Sequence, residues 1–117
     1  QSLGGFEIAA ISGLVMGAAH YRIPCVIDGW IASAGALVPI RLNPALLDYL
    51  FFAHESEEKG HQILLEELDV HPILKLSMRL GEGTGACLAM GILEAMVRAY
   101  HEVATFEEAK VAGKKNV

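Results

Sequence analysis

Charge is scarce in this chain. Only 20% of its 117 residues are Asp, Glu, Lys or Arg and 53% are apolar, a balance that excludes intrinsic disorder and calls for a packed core. Basic charge is scarcer still: nine Lys and Arg stand against fourteen Asp and Glu, a net charge of −5, which leaves no footprint for nucleic acid. The one basic cluster, Lys110, Lys114 and Lys115, reads as a solvated tail. Long hydrophobic runs are missing as well. Ile8 to Ala19 and Ile31 to Ile40 fall short of the roughly twenty residues a bilayer requires, and Pro24, Asp28 and Pro39 interrupt anything longer, so no membrane partner is expected. No positively charged segment precedes an apolar one, so no secretory signal is expected. Gln1 is not an initiator methionine, and the chain reads as starting within something longer.

Metal-binding and nucleophile patterns are absent too. Among His20, His54, His61, His71 and His101 no two stand four apart, which excludes the paired-histidine helix of a zincin, and the two cysteines lack a C-x-x-C spacing. No metal is expected. Ser12, Ser33 and Ser77 lie outside any G-x-S-x-G elbow. Cys25 and Cys87, both set among apolar residues, read as reduced core thiols of a reducing, cytoplasmic compartment, although spacing alone leaves a disulfide open. Mean hydropathy is +0.39, high for a free-standing domain. It implies either helices buried on several sides or apolar faces covered by more chain or by a second subunit.

What is present is an alternation of strand and helix. Ile8, Ile11, Leu14, Val15 and Ala18 fall at helical spacing with Ala and Gly on the remaining faces, predicting a helix from about Phe6 to Tyr21 that is buried on most sides. Ile23 to Ile27 is a short apolar run ending at Asp28-Gly29, the pattern of a buried parallel strand. A second helix is predicted from Trp30 to Val38, ended by Pro39 and Asn43-Pro44. Tyr49 to Ala53 is the second strand candidate, ending in His54-Glu55-Ser56. Ser56 reads as the N-cap of a helix from Glu57 to Leu68, with Glu57 and Glu58 in its first turn. Asp69 to Met78 is ambiguous between a short strand and an irregular packed segment.

A last helix follows near Cys87, with Leu88, Ile92, Met96 and Tyr100 as one apolar stripe and Glu94, Arg98 and His101 opposite. Met90 joins the stripe as core or dimer packing. Thr105 is placed to cap a final turn through Glu107, Glu108 and Ala109. Strand then helix, twice, predicts a single α/β domain over residues 1–117. Its architecture is a Rossmann-like parallel sheet with flanking helices, incomplete, with a helical C-terminus. Ligands of such a sheet sit beyond the carboxyl ends of its strands, where Asp28-Gly29 and His54-Glu55-Ser56 fall.

The most informative stretch is Gly81-Glu82-Gly83-Thr84-Gly85, a single carboxylate among glycines just before a helix. Glycine allows unusual backbone and close approach of a ligand. The helix that follows adds free N–H groups and a partial positive charge, so Glu82 either faces a ligand or simply caps the helix. Burial would raise the pKa of such a carboxyl and the helix end would lower it; residue types alone do not decide between them. Asp28 can hold a ribose hydroxyl, position a loop or form a plain turn with Gly29. Ser56 either offers its hydroxyl and the next amides to a phosphate or ribose oxygen or serves only as a cap. Gly4-Gly5 lacks a full phosphate-loop pattern and reads as close packing of the first helix, with Glu7 a first-turn acid.

Taken in order, Leu3-Gly4-Gly5-Phe6-Glu7-Ile8-Ala9-Ala10, Val26-Ile27-Asp28-Gly29-Trp30, His54-Glu55-Ser56-Glu57-Glu58-Lys59-Gly60 and Arg79-Leu80-Gly81-Glu82-Gly83-Thr84-Gly85 resemble the carboxyl-terminal third of the nicotinate-nucleotide:dimethylbenzimidazole phosphoribosyltransferases, from about Leu3 to Val111. The resemblance implies an enzyme of cobalamin biosynthesis without a cofactor, homodimeric, acting on nicotinate mononucleotide and 5,6-dimethylbenzimidazole and forming an α-linked product. It implies that Glu82 is the general base, that Asp28, Gly29 and Ser56 border the nucleotide, and that Leu80, Gly81 and Gly83 shape the surroundings of the base. It also implies that this chain lacks much of the base pocket and is inactive alone. The competing reading is a non-catalytic α/β module that binds a ligand or partner and keeps the loop as structure. Coding sequence upstream of Gln1 separates the two.

Overall fold

The computed structural model describes residues 4–110. Leu3, Val111, Lys114 and Lys115 therefore lie outside the described residues, and with them one end of the first motif and most of the basic tail. The described residues form four helices and four short strands in the order α1 (Phe6–His20), β1 (Cys25–Ile27), α2 (Trp30–Leu42), a 3-10 turn (Pro44–Tyr49), β2 (Leu50–Phe52), β3 (His54–Ser56), α3 (Lys59–Glu67), β4 (Leu74–Met78) and α4 (Thr84–Glu102). All strand pairings are parallel, the α/β class that the alternation of strands and helices predicts.

β1 pairs with β2, Cys25 opposite Leu50 and Ile27 opposite Phe52; β3 pairs with β4, His54 opposite Leu74 and Ser56 opposite Met78. The two ladders are joined through residues 50–56, which run on from one into the other. On one side Ala53 N donates to Ile27 O at 2.8 Å and His54 N to Asp28 O at 3.3 Å; on the other Ile73 N donates to Phe52 O and Leu74 N to Ala53 O, both at 2.9 Å. His54-Glu55-Ser56 is thus a strand, not the polar stop expected after Ala53, because β4 supplies its hydrogen-bond partners. Between the two aligned pairs, three residues of β3 face five of β4. This bulge contains Ser77, whose φ is 51°.

One face of the strands carries the core. Cys25, Ile27, Leu50 and Phe52 are buried with Val15 of α1, Ala36 and Ile40 of α2, and Leu64, Leu65 and Leu68 of and after α3. α1 is less enclosed than its composition implies: Val15 is its one fully buried residue, Ile11 and Ala18 pack against the core, and Phe6 is 96% exposed. Gly4 and Gly5 are exposed too, so close packing does not account for them.

Pro39 does not end α2, which continues three residues further to Leu42. A proline within a helix leaves the carbonyl four residues back without its amide donor, here Gly35 O. Ser12 of α1 replaces it, its hydroxyl 2.7 Å from Gly35 O and 2.8 Å from Ile8 O, one proton shared between two acceptors. The helices can approach this closely because residue 35 has no side chain: a Cβ there would fall 2.6 Å from Ile11 Cγ2.

Two helices end on left-handed residues that are not glycine. After α1, Ile23 N donates to Ala18 O and Arg22 N to Ala19 O, with Arg22 at φ 58°; after α3, Val70 N donates to Leu65 O and Asp69 N to Glu66 O, with Asp69 at φ 52°. These paired bonds are the Schellman arrangement. α3 starts two residues later than expected, at Lys59. Ser56 is in β3, and its Oγ accepts from Glu58 N at 3.3 Å, ahead of the helix. Glu57 and Glu58 therefore precede the first turn.

α4 touches the sheet only through its first turns, where Gly85 and Ala89 are buried. The stripe of Leu88, Met90, Ile92, Met96 and Tyr100 is exposed, Tyr100 by 86%, so it is not core within this chain: the helix leaves the sheet after its second turn. Cys87 on the same helix is exposed, while Cys25 is buried, and both are free thiols. Glu94 and Arg98 pair at 2.7 Å. Thr105 and Glu108 form a reciprocal cap, Glu108 N to Thr105 Oγ1 at 3.2 Å and Thr105 N to Glu108 Oε2 at 2.8 Å.

The Ser12 contact is testable by a double-mutant cycle. Replacing Ser12 by Ala leaves a part-buried carbonyl without a donor and is expected to cost about 1–2 kcal/mol. In a Pro39→Ala background the restored amide serves Gly35 O, and the same substitution is expected to cost less than half as much. Equal costs in the two backgrounds, read from urea unfolding midpoints, would show that the hydroxyl does not substitute for the missing amide.

Candidate active site

Because all strands run parallel, the carboxyl ends of β1, β3 and β4 lie along one rim. A cleft of about 380 Å³ opens there, lined by Asp28, Gly29, Trp30, Ile31, Ala32, His54, Ser56, Glu58, Arg79, Gly81 and Glu82. Five residues singled out in the sequence, Asp28, Gly29, Ser56, Gly81 and Glu82, are brought together in it. Leu80, 73% exposed, and Gly83 stand outside the lining.

The glycine loop is held open by its backbone. Gly81, Glu82 and Gly83 have φ of 75°, 56° and 81°, three successive residues in a region that glycine adopts freely and glutamate does not. Holding Glu82 there costs roughly 1 kcal/mol, and strain of this kind concentrates where a side chain must be presented rather than packed. The carboxylate is accordingly exposed at the cleft mouth.

α4 starts at Gly83 with no cap of its own. Asp28 supplies one from the end of β1: its carboxylate accepts from Gly83 N at 3.3 Å and from Ala86 N at 2.8 Å. Of the three roles open to Asp28 in the sequence, positioning the loop is the one visible here. α2 also begins at a glycine, Gly29, with no side-chain cap and no acid in its first turn among the described residues. The residues of that turn, Trp30, Ile31 and Ala32, line the cleft. The two helix ends differ: α4 is capped by the Asp28 carboxylate, whereas α2 has no side-chain cap among the described residues.

Beneath the cleft lie two buried imidazoles. His61 of α3 is 1% exposed and fully bonded: Ser56 N donates to its Nδ1 at 3.0 Å, and its Nε2 is 3.0 Å from Ser33 Oγ. An accepting Nδ1 requires the neutral ring protonated at Nε2, which then donates to the Ser33 hydroxyl. Burial holds the His61 pKa below its usual value and neighbouring His54 lowers it further, while Glu55 and Asp28 oppose. Ser56 is therefore committed through both its amide and, with Glu58, its hydroxyl. His54, 3% exposed, lies with its ring centroid 6.4 Å from that of His61. Trp30 tilts against His61 at 6.0 Å and over Gly60, where a Cβ would fall 2.9 Å from the indole.

His54, Trp30, Glu58 and Arg79 were not among the candidates, although the signals existed. Trp30 is the only tryptophan and follows Asp28-Gly29 directly, and His54 and Arg79 open two of the four motifs. Arg79 pairs with Glu58 at 3.0 Å across the cleft mouth; both are solvated, so the pair contributes at most about 1 kcal/mol. Among the described residues no group of three His, Cys, Asp or Glu is close enough to hold a metal ion, and no helix is long and apolar enough to cross a membrane.

The family model described as phosphoribosyltransferase matches residues 1–111. A nicotinate-nucleotide–dimethylbenzimidazole phosphoribosyltransferase of Pelodictyon phaeoclathratiforme is 55% identical over 97% of this chain and 32% of its own length. One of the same name from Geotalea uraniireducens is 59% identical over 94% of this chain and 31% of its own length. Among solved structures, that of a nicotinate-nucleotide–dimethylbenzimidazole phosphoribosyltransferase from Thermus thermophilus superposes with a TM-score of 0.87 at 45% identity, covering 95% of this chain and 33% of the other. The chain thus spans about a third of the length of the relatives it matches.

The His61 network has a pH signature. Its folded pKa lies below the ordinary value near 6.5, so between the two the unfolded chain binds a proton that the folded one refuses. This group leaves stability unchanged above about pH 6.5 and removes up to about 1.4 kcal/mol per pH unit as pH falls through that window. Unfolding midpoints measured from pH 8 to pH 5 should decline below 6.5. In His61→Gln that part of the decline should vanish; an acid limb of unchanged slope in the variant would assign the effect elsewhere.

Proposed function

The chain belongs to the nicotinate-nucleotide:dimethylbenzimidazole phosphoribosyltransferase family, and from that membership we propose that it forms the part of such an enzyme that carries the general base and one side of the nucleotide site. The reaction moves the phosphoribosyl group of nicotinate mononucleotide to 5,6-dimethylbenzimidazole. The products are α-ribazole 5′-phosphate, a component of cobalamin, and nicotinate. The observation that carries this reading is the convergence of Glu82, Asp28, Gly29, Ser56 and the open end of α2 on one cleft.

In the chemistry so assigned, one nitrogen of the benzimidazole attacks the anomeric carbon as the bond to the pyridine nitrogen breaks, and nicotinate leaves with that electron pair. The attacking ring becomes cationic and loses its other N–H proton to Glu82. A positioned carboxylate contributes typically 10² to 10⁴ to such a step. The anionic phosphate suits the uncapped first turn of α2, where amides and helix dipole act together, and Ser56 and Gly29 border the ribose. Gly81 and its neighbours give the aromatic ring close access to the loop. No step in this scheme requires a metal or a cofactor.

The exposed faces of α1 and α4 are the surfaces that a homodimer or the remaining two thirds of such an enzyme would cover. The two free thiols fit a cytoplasmic enzyme.

In the full-length enzyme, Glu82→Gln should lower kcat by at least roughly 10² with the KM for nicotinate mononucleotide little changed. A folded variant with near-normal turnover would remove Glu82 from the mechanism. The 117 residues alone should self-associate and show no measurable transfer, since a cleft lined on one side cannot hold two substrates in attack geometry. Activity in a monodisperse monomer, tested by product assay together with solution mass, would contradict that.

A further inference from the structure

The scheme above leaves His54 without a task, yet the fold is shaped around it. Its Nδ1 is buried without a hydrogen-bond partner among the described residues, an unfavourable state for a polar atom. Its ring lies in a slot between two glycines: a Cβ at Gly29 would fall 2.6 Å from Cε1, and one at Gly85 would fall on the ring itself. Both the start of α2 and the start of α4 therefore give up a side chain to admit one imidazole. Asp28 Oδ1 lies 3.9 Å from the orphaned nitrogen, and the His54 amide already donates to the Asp28 carbonyl. Closing that gap by about 0.9 Å gives an ordinary N–H···O bond. Hydrogen bonds of this kind are often long without ligand and tighten in the complex.

We propose that His54 is a positioning residue for the reaction assigned above: with nicotinate mononucleotide in the cleft, its Nδ1–H closes on Asp28 Oδ1. The carboxylate so held fixes the amides of Gly83 and Ala86 and, through them, the strained backbone that presents Glu82. The inference rests on the proposed function in one respect, that the loop's alignment matters for turnover. His54 acts through Asp28 and not on the substrate, so its loss should weaken catalysis rather than binding. It should also have no separate effect once Asp28 can no longer receive the bond.

The test uses the full-length enzyme and steady-state kinetics of His54→Ala, His54→Asn, Asp28→Ala and the double variant His54→Ala/Asp28→Ala. His54→Ala should reduce kcat by roughly 10- to 100-fold, the scale of a misaligned catalytic group, with the KM for nicotinate mononucleotide within about threefold of the parent. His54→Asn, whose amide nitrogen lies near the position of Nδ1, should recover most of the loss, and the double variant should be no slower than Asp28→Ala alone. A folded His54→Ala with kcat within twofold of the parent, or losses that multiply in the double variant, would overturn the proposal. Should His54→Ala not fold, amide hydrogen exchange of the parent decides. Protection at Gly83 and Ala86 should rise at least roughly tenfold on adding nicotinate mononucleotide, and unchanged protection overturns the proposal. The exchange readout is independent of which group is the base, so an active Glu82→Gln would defeat the proposed function without touching this result.

Discussion

The bond on which the arrangement depends joins Asp28 to the amides of Gly83 and Ala86. Helix α4 has a glycine where a capping side chain would normally stand, and three residues of positive φ lead into it. Without an external acceptor the loop would have little to define it. Asp28 reaches it from the end of β1, more than fifty residues earlier in the chain, and so ties the glutamate-bearing loop to the sheet. A carboxylate receiving two backbone N–H groups is also the favourable charge for a helix start, so the restraint and the electrostatics act in the same direction.

A second layer of restraint comes from His61. By accepting from Ser56 N and reaching Ser33 Oγ, it joins α3 to β3 and α2, the elements that form the floor of the cleft and the uncapped helix end. A neutral imidazole is one of the few side chains that can accept at one ring position and donate at another inside a core. The chain thus spends its few buried polar groups on alignment beneath the cleft.

The order and type of most elements were legible because alternating short apolar runs and helical spacing record them directly, and the loop around Glu82 was legible because glycine is so rarely arranged that way without cause. What the sequence concealed has a common physical origin: compensation at a distance. Pro39 reads as a stop unless one knows that Ser12 supplies its missing donor. Arg22 and Asp69 end helices in conformations usually marked by glycine, where the terminating signal is a pair of backbone bonds with no residue signature. His54-Glu55-Ser56 looked like the end of a strand since its partner, β4, was the one segment whose pattern was ambiguous. The stripe on α4 is legible as apolar, but of its two readings, core or dimer packing, the core one fails within this chain, because periodicity says which face is apolar and not what lies against it. His54 does not stand out among the five histidines of the sequence because the space it needs is recorded at two other positions, Gly29 and Gly85.

The bulge in β4 bears on how the loop could be moved or redesigned. Between the pairs His54–Leu74 and Ser56–Met78, five residues of one strand are matched to three of the other, so the extra length is absorbed before the chain reaches Arg79. Removing one residue there would turn every later side chain to the opposite face, sending Arg79 away from Glu58 and shifting the start of α4 relative to Asp28. The transferable unit is therefore not the five residues of the glycine loop but the whole stretch from Leu74 to Ala86, together with Asp28 and the imidazole it sits beside. A graft that copied the loop alone would carry the letters of the motif and lose its phase.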